Sequence, residues 1–342
     1  MKKVFICLTA ATIILSACTR GKEAAAPSTA TDAFTDDMVL PVTPVKDQGR
    51  SSLCWLYAML ATIETDHIVA GDSVNLSPDY AARMWLAYLT QRHYLSGDGR
   101  QISLRGMMTM VPRIMERYGM MMYDSYSNAT PVNYNSLARR LTRMADTRHD
   151  LAHVHSETER MLDEHIGYLP PAVHLYSATY TPREFAHSLC REGDYEALTS
   201  FTHHSFGERF VLETADNILN DTFLNVPLDS LMSVITSALR SGHAVCWEGD
   251  TSERGFDFAR GRADTPGETQ CTQQQRQHHY ETHLTTDDHC MAIVGMARDR
   301  EGRRYFKAKN SWGKGNRYGG MMYLSENYVR LKTIAIMVKK QR

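Results

Sequence analysis

Val45-Lys46-Asp47-Gln48-Gly49-Arg50-Ser51-Ser52-Leu53-Cys54-Trp55-Leu56-Tyr57 is the stretch on which the reading of this chain turns. Gly49 and the small polar residues after it read as a loop. Leu56, Met59, Leu60 and Ile63 then recur at helical spacing, so a helix is expected to begin close to Cys54. A thiol in the first turn of a helix feels the positive end of the macrodipole, which favours thiolate over thiol. Gln48 lies six positions earlier, close enough to turn its amide toward the same spot. A thiolate beside an amide donor is the beginning of an acyl-transfer site. Taken alone, the stretch serves equally well for a structural cysteine buried beside a tryptophan.

The complementary residues come late in the chain. Thr286-Asp287-Asp288-His289-Cys290-Met291-Ala292-Ile293-Val294-Gly295 places a histidine at the mouth of a short apolar run that reads as a buried strand. Phe306-Lys307-Ala308-Lys309-Asn310-Ser311-Trp312-Gly313 ends a second strand with an asparagine and an indole. Adjacent strands would set His289 beside Asn310. The asparagine carbonyl would then accept from one ring nitrogen and leave the other facing the thiol. A lone histidine is more commonly a core residue, but Gln48, Cys54, His289 and Asn310 together supply a complete set of roles.

On these motifs the sequence resembles the papain-like cysteine peptidases, and within them the bleomycin hydrolase/aminopeptidase C branch. The resemblance runs from about Val39 onward. It departs from the cathepsin-type signature: Ser51, Ser52 and Leu53 replace the residues before the nucleophile. His289 follows Cys54 by 235 residues, roughly 85–105 more than that signature's usual spacing. The missing first cysteine and the block from Thr181 to Asp250 fit the bleomycin hydrolase branch. The resemblance implies an α+β, papain-like two-subdomain fold, with a helical half, a β-barrel-like half and the groove between them. Residues 38–342 would form the peptidase domain, with 127–225 as an insertion of roughly 100 residues. It also implies that Cys54 is the nucleophile, His289 the acid–base, Asn310 its orienter and Gln48 an oxyanion donor. Trp312 would shield the His289–Asn310 bond. Gly106, in Arg105-Gly106-Met107-Met108, matches the glycine that lets a peptide approach; it reads equally as a loop glycine before a helix. In this branch the chain's own C-terminus lies in the groove, and here Met337 to Arg342 form a short extension past the last strand.

Composition sets the outer bounds. The 342 residues carry a net charge of −1, so no excess charge points to nucleic acid. Peptides or proteins are the expected substrates, and no motif calls for a cofactor. His279 and His283 sit four apart, but neither H-E-x-x-H nor its inverse matches, so no metal site is assigned. Cys190, Cys246, Cys271 and Cys290 are scattered and do not form a recognisable disulfide framework.

Residues 1–17 read as a targeting segment: Lys2 and Lys3, an apolar run from Val4, then Leu15-Ser16-Ala17-Cys18. The closing cysteine resembles a bacterial lipoprotein signal, with Cys18 as the lipidated residue anchoring the chain to a membrane of the cell envelope. An ordinary secreted protein with a chance cysteine is the other reading. Residues 18–37 lack an apolar period and are expected to be a flexible tether. No pro-domain is expected between Cys18 and the core.

Downstream, Ser77 and Pro78 signal a helix start. Ser136 to Gly167 reads as a surface helical excursion, and the polar, Gln-rich stretch Ala263 to Thr282 as a long loop. The expected activity is peptide hydrolysis through a thioester. A catalytically inactive papain-fold binding lipoprotein is the alternative, which the intact quartet argues against. A transglutaminase-like transferase would be expected to carry an aspartate in place of Asn310.

Overall fold

The computed structural model describes residues 33–147, 150–175, 177–265 and 270–340. The 1–17 segment and Cys18 lie outside the described residues. After strand β1 (Thr35–Val39) come helices α1 (Cys54–Val69), α2 (Pro78–Ser96), α3 (Met110–Tyr118), α4 (Tyr134–Asp146) and α5 (Leu151–His165). A hairpin of β2 (Val173–Leu175) and β3 (Ala178–Tyr180) leads into α6 (Pro182–Leu189). The remainder is strand-rich: β4 (Tyr195–Thr199), β5 (Arg209–Val211), β6 (Thr222–Asn225), α7 (Leu228–Arg240), β7 (Val245–Gly249), β8 (Phe256–Asp257) and β9 (Arg262–Ala263). Then follow α8 (Gln273–Glu281), β10 (His289–Arg298), β11 (Arg304–Lys309), β12 (Met321–Ser325), α9 (Glu326–Lys332) and β13 (Thr333–Lys339).

The large sheet runs β5-β6-β4-β13-β7-β10-β11-β12-β9-β8. Strand β10 is its pivot. On one edge it pairs with β11; on the other, β7 takes His289 to Ile293 and β1 takes Gly295 to Arg298. Gly295 permits the second pairing, since a Cβ there would sit 2.6 Å from the Met38 carbonyl oxygen. Helix α1 lies between this sheet and helices α2 and α3. It therefore has no polar stripe, and Trp55, Leu56, Met59, Leu60 and Ile63 are all buried.

Local signals account for the ends of α2: Ser77 Oγ accepts from the Tyr80 amide (3.0 Å), Pro78 takes the first position, and Gly97 closes the helix at φ +59°. The expected surface excursion forms α4 and α5, but these are not peripheral. Leu137, Leu141, Val154 and Leu162 join the core that holds Trp55 and Leu86. The 127–225 stretch also supplies β4 and β6 to the main sheet.

Two further expectations are corrected. Residues 35–37, assigned to the tether, belong to β1; Asp36 accepts from Lys307 and Tyr323, and Phe34 stacks on Tyr323 with centroids 4.0 Å apart. A short edge strand written Thr-Asp-Asp carries no apolar alternation to reveal it. The Gln-rich loop contains helix α8, whose capping box is Thr272 with Gln275. Its buried residues are Arg276 and Gln277, so its inward face is polar and leaves no hydrophobic period. Arg276 donates to the carbonyls of Ser200 and Arg330 and lies over the Phe201 ring.

Strand β13 leaves the sheet at its far end. Thr333 faces Gly249, the partner of His289, whereas Val338 faces Val245. That is four residues along β7, about 13 Å. Up to Lys340, whose amide bonds the Asp194 carbonyl, the chain is directed away from Cys54.

Candidate active site

Cys54 is the first residue of α1, and the Leu53 cap contributes no side-chain bond to the helix terminus. The first turn also has no acidic residue to offset the positive end of the dipole. Leu53 and Trp55 are fully buried, and the Trp55 indole donates to the Leu104 carbonyl at 3.0 Å. These anchors fix the helix start and leave the Cys54 thiol partly exposed in a cavity of about 220 Å³. Gln48, Arg105, Gly106, Asp216, Glu248 and His289 line the same cavity.

The thiol is held well below its ordinary range. A hydrogen bond with Cys290 contributes most; the hydrogen bond and charge of His289 add to it, against burial, which pushes upward. Cys290 shifts the other way, raised well above the usual thiol range chiefly by burial and then by its bond to Cys54.

His289 opens β10 and Asn310 follows the last residue of β11, so neighbouring strands set the pair side by side. Both are buried, and His289 Nε2 lies 2.7 Å from Asn310 Oδ1. That oxygen also accepts the Ser311 amide at 2.7 Å, so it is the acceptor in both bonds and Nε2 carries the proton. Nδ1 is left to face Cys54. Trp312 covers the imidazole at 4.4 Å between centroids, with Phe256 and Phe258 edge-on behind it.

The Gln48 loop is tied to the same strand end. Gln48 N bonds the Ser311 carbonyl and Gly313 N bonds the Lys46 carbonyl. The Gln48 amide donates to the Ser51 carbonyl at 2.7 Å and accepts from Ser311 Oγ at 2.6 Å. With its carbonyl end fixed this way, the amide nitrogen has a second hydrogen for the cavity. The structure thus brings Gln48, Cys54, His289, Asn310 and Trp312 together. Gly106 lines the cavity too, but its missing Cβ points elsewhere: a Cβ would lie 2.8 Å from the end of Met110 and 3.2 Å from Trp55. A glycine here keeps the cavity-lining backbone close against Met110 and Trp55.

Sequence reasoning missed Cys290 and the acidic side of the cavity, formed by Asp216, Glu248 and Asp287. Only the aspartates beside His289 carried a visible signal. A larger cavity of about 540 Å³ lies elsewhere, where Arg262 pairs with Asp264 and Arg304 with Glu326. As for metals, His203, His204 and Glu213 bring ligand atoms within 4.8 Å of one another. Among the described residues, His279 and His283 belong to no group of three potential ligands.

In known proteins, the family model described as Peptidase C1-like family matches residues 174–342. Aminopeptidase G of Lactobacillus delbrueckii subsp. lactis is 28% identical over 160 residues, which are 43% of this chain and 36% of the relative. Aminopeptidase W of the same organism is 28% identical over 176 residues, 47% of this chain and 39% of the relative. The alignments therefore span little more than a third of these curated relatives. The crystal structure of PepW from Lactobacillus rhamnosis HN001 superposes with a TM-score of 0.69 at 16% identity, covering 90% of this chain and 82% of that one. The fold is papain-like.

Proposed function

We propose that this chain is a papain-like cysteine peptidase that hydrolyses peptide bonds through a thioester. The observation that carries this reading is one cavity holding a thiol depressed well below its usual range beside an imidazole oriented by Asn310. In this reading the Cys54 thiolate attacks the peptide carbonyl, forming a C–S bond and an oxyanion. The Cys54 backbone N–H and the free hydrogen of the Gln48 amide receive that oxyanion. The C–N bond then breaks as His289 gives its Nδ1 proton to the departing amine. Water attacks the thioester, returns a proton to Nδ1, and the C–S bond breaks to restore the thiolate. Asn310 keeps Nε2 protonated and the ring in plane, and Trp312 keeps water off that bond. A purely binding role has less support, since thiol, imidazole, asparagine and amide donor are all present side by side.

Trimming from the amino end is the favoured mode, supported by the similarity to aminopeptidases G and W. Anchoring at the cell envelope through lipidated Cys18 is part of the same proposal, supported by Leu15-Ser16-Ala17-Cys18. The central test incubates the reduced protein with a peptide library and sequences the products. Wild type should release products and take up an epoxysuccinyl thiol reagent at Cys54; Cys54→Ala should do neither. Activity surviving in Cys54→Ala, with label on Cys290, would overturn the assignment. For the anchor, Cys18→Ala should leave the detergent phase.

A further inference from the structure

The cavity beside Cys54 has one side that the peptidase reading leaves unused. Glu248 stands opposite Cys290 in the β7–β10 register, so its side chain shares a sheet face with the thiol that bonds Cys54. Glu248 is 1% exposed, and its Oε2 has no hydrogen-bond donor. Asp287, two residues before His289, lines the same cavity, and its Oδ2 has no donor either.

The neighbouring charges do not satisfy these oxygens. Arg105 is the cation at hand, but its Nε is committed to Asp216 Oδ1 (2.7 Å) and its Nη2 to the Asp287 backbone carbonyl (3.1 Å). Asp288 lines the cavity as well but is held by Thr251, whose amide and hydroxyl donate to its Oδ1. Two carboxyls thus meet in a low-dielectric corner, hydrogen-bonded to each other, with Thr214 as a further partner of Asp287 and no cation of their own. Burial and then the nearby Asp216 charge lift Asp287 to about 7; burial and then Asp287 raise Glu248 well above its usual range. Such an arrangement costs stability unless a ligand supplies the missing donors. An ammonium or guanidinium would donate to both free oxygens at once and restore the charge balance.

We propose that Glu248 and Asp287 form a subsite, adjoining the Cys54 thiol, for a cationic group of the bound peptide. The group is either the ammonium of a free amino terminus or the side chain of a lysine or arginine near the scissile bond. This rests on the reading of the cavity as a peptide site, but the preference can be measured without turnover.

The experiment measures binding of four short peptides to the full-length Cys54→Ala protein by calorimetry. They combine a free or acetylated amino terminus with lysine or norleucine at the residue before the one whose carbonyl would be attacked. At least one cationic peptide should bind tenfold or more tightly than the acetylated norleucine peptide. A gain that follows the amino terminus identifies the terminal ammonium; a gain that follows lysine identifies the side chain. Adding Glu248→Gln, or separately Asp287→Asn should either protein fail to fold, should bring the ratio to within twofold. Four peptides that bind within twofold of one another, or a preference that survives both substitutions, would overturn the subsite. Hydrolysis by wild type is scored separately. A cation preference in a protein that cleaves nothing would leave the subsite standing and remove the peptidase reading.

Discussion

Glu64 and Glu248 are both essentially inaccessible, at 0% and 1% exposure, yet they are treated in opposite ways. Glu64, on the same helix as Cys54, accepts from Lys46 Nζ (2.6 Å), the Leu76 amide (2.7 Å) and Thr43 Oγ1, with Lys309 Nζ at 3.7 Å. Glu248 reaches an oxygen toward the cavity and meets no donor there. Desolvating a carboxylate is tolerable only when donors replace water. The folded chain supplies them to Glu64, and supplies none to that oxygen of Glu248. The first carboxylate is therefore part of the scaffold: Lys46 precedes Gln48 by two residues and Lys309 precedes Asn310 by one, so Glu64 ties the Gln48 loop, α1 and the end of β11 together. The second is part of the cavity, and its unmet bond is what gives it something to offer a ligand.

The largest expected effect comes from breaking the scaffold. Glu64→Ala leaves Lys46 and Lys309 uncompensated and should cost about 3–5 kcal/mol in a urea titration. A loss below about 1 kcal/mol would mean that the network merely coexists with the fold. Gln48→Ala, on the loop this network holds, should separate support from chemistry. It should lower kcat by about 10²–10³ with little change in KM, and the two buried hydrogen bonds it gives up should cost about 1–3 kcal/mol of stability. A defect confined to KM would make Gln48 a substrate-binding residue instead.

The cavity side should show itself through pH. Asp287 has a folded pKa of about 7 against an ordinary 3.8, so the folded state holds its proton longer than the unfolded chain. Its contribution is therefore fully present below the ordinary carboxylate range and is lost as pH rises toward 7. Asp287→Asn should flatten that decline in melting temperature between about pH 4 and 7; an unchanged slope would place the titration elsewhere. The smallest effect belongs to Cys290→Ala, which removes the leading cause of the depressed Cys54 thiol. The pH midpoint for alkylation of Cys54 should move upward while the melting curve stays close to wild type. A midpoint that does not move would show that His289 suffices.

What could be read from the linear chain was whatever fits within a short window. The helix beginning at Cys54 shows in the spacing of Leu56, Met59, Leu60 and Ile63; the apolar run that His289 opens and the segment that Asn310 closes show as strands. Elements whose inner face is polar stayed hidden. Helix α8 buries Arg276 and Gln277, and β1 begins Thr-Asp-Asp, so neither produces the apolar period by which helices and strands are recognised. Gly106 could be singled out as a glycine, but the Met110 and Trp55 side chains that crowd it are brought there only by packing.

The amino-acid order by itself supplied the candidates for nucleophile, imidazole, orienter and oxyanion donor, because each rests on a local pattern or a side chain's intrinsic chemistry; the papain-like architecture followed from the family resemblance that those motifs carry. The tertiary structure alone decided the surroundings of those groups. It placed Cys290 against Cys54, turned the described end of β13 away from the groove, and set Glu248 and Asp287 in one corner with an oxygen of each left without a donor. These depend on strand register and on which distant segments share a cavity. Charge and hydrogen-bond satisfaction are properties of the assembled neighbourhood, and no residue carries them alone.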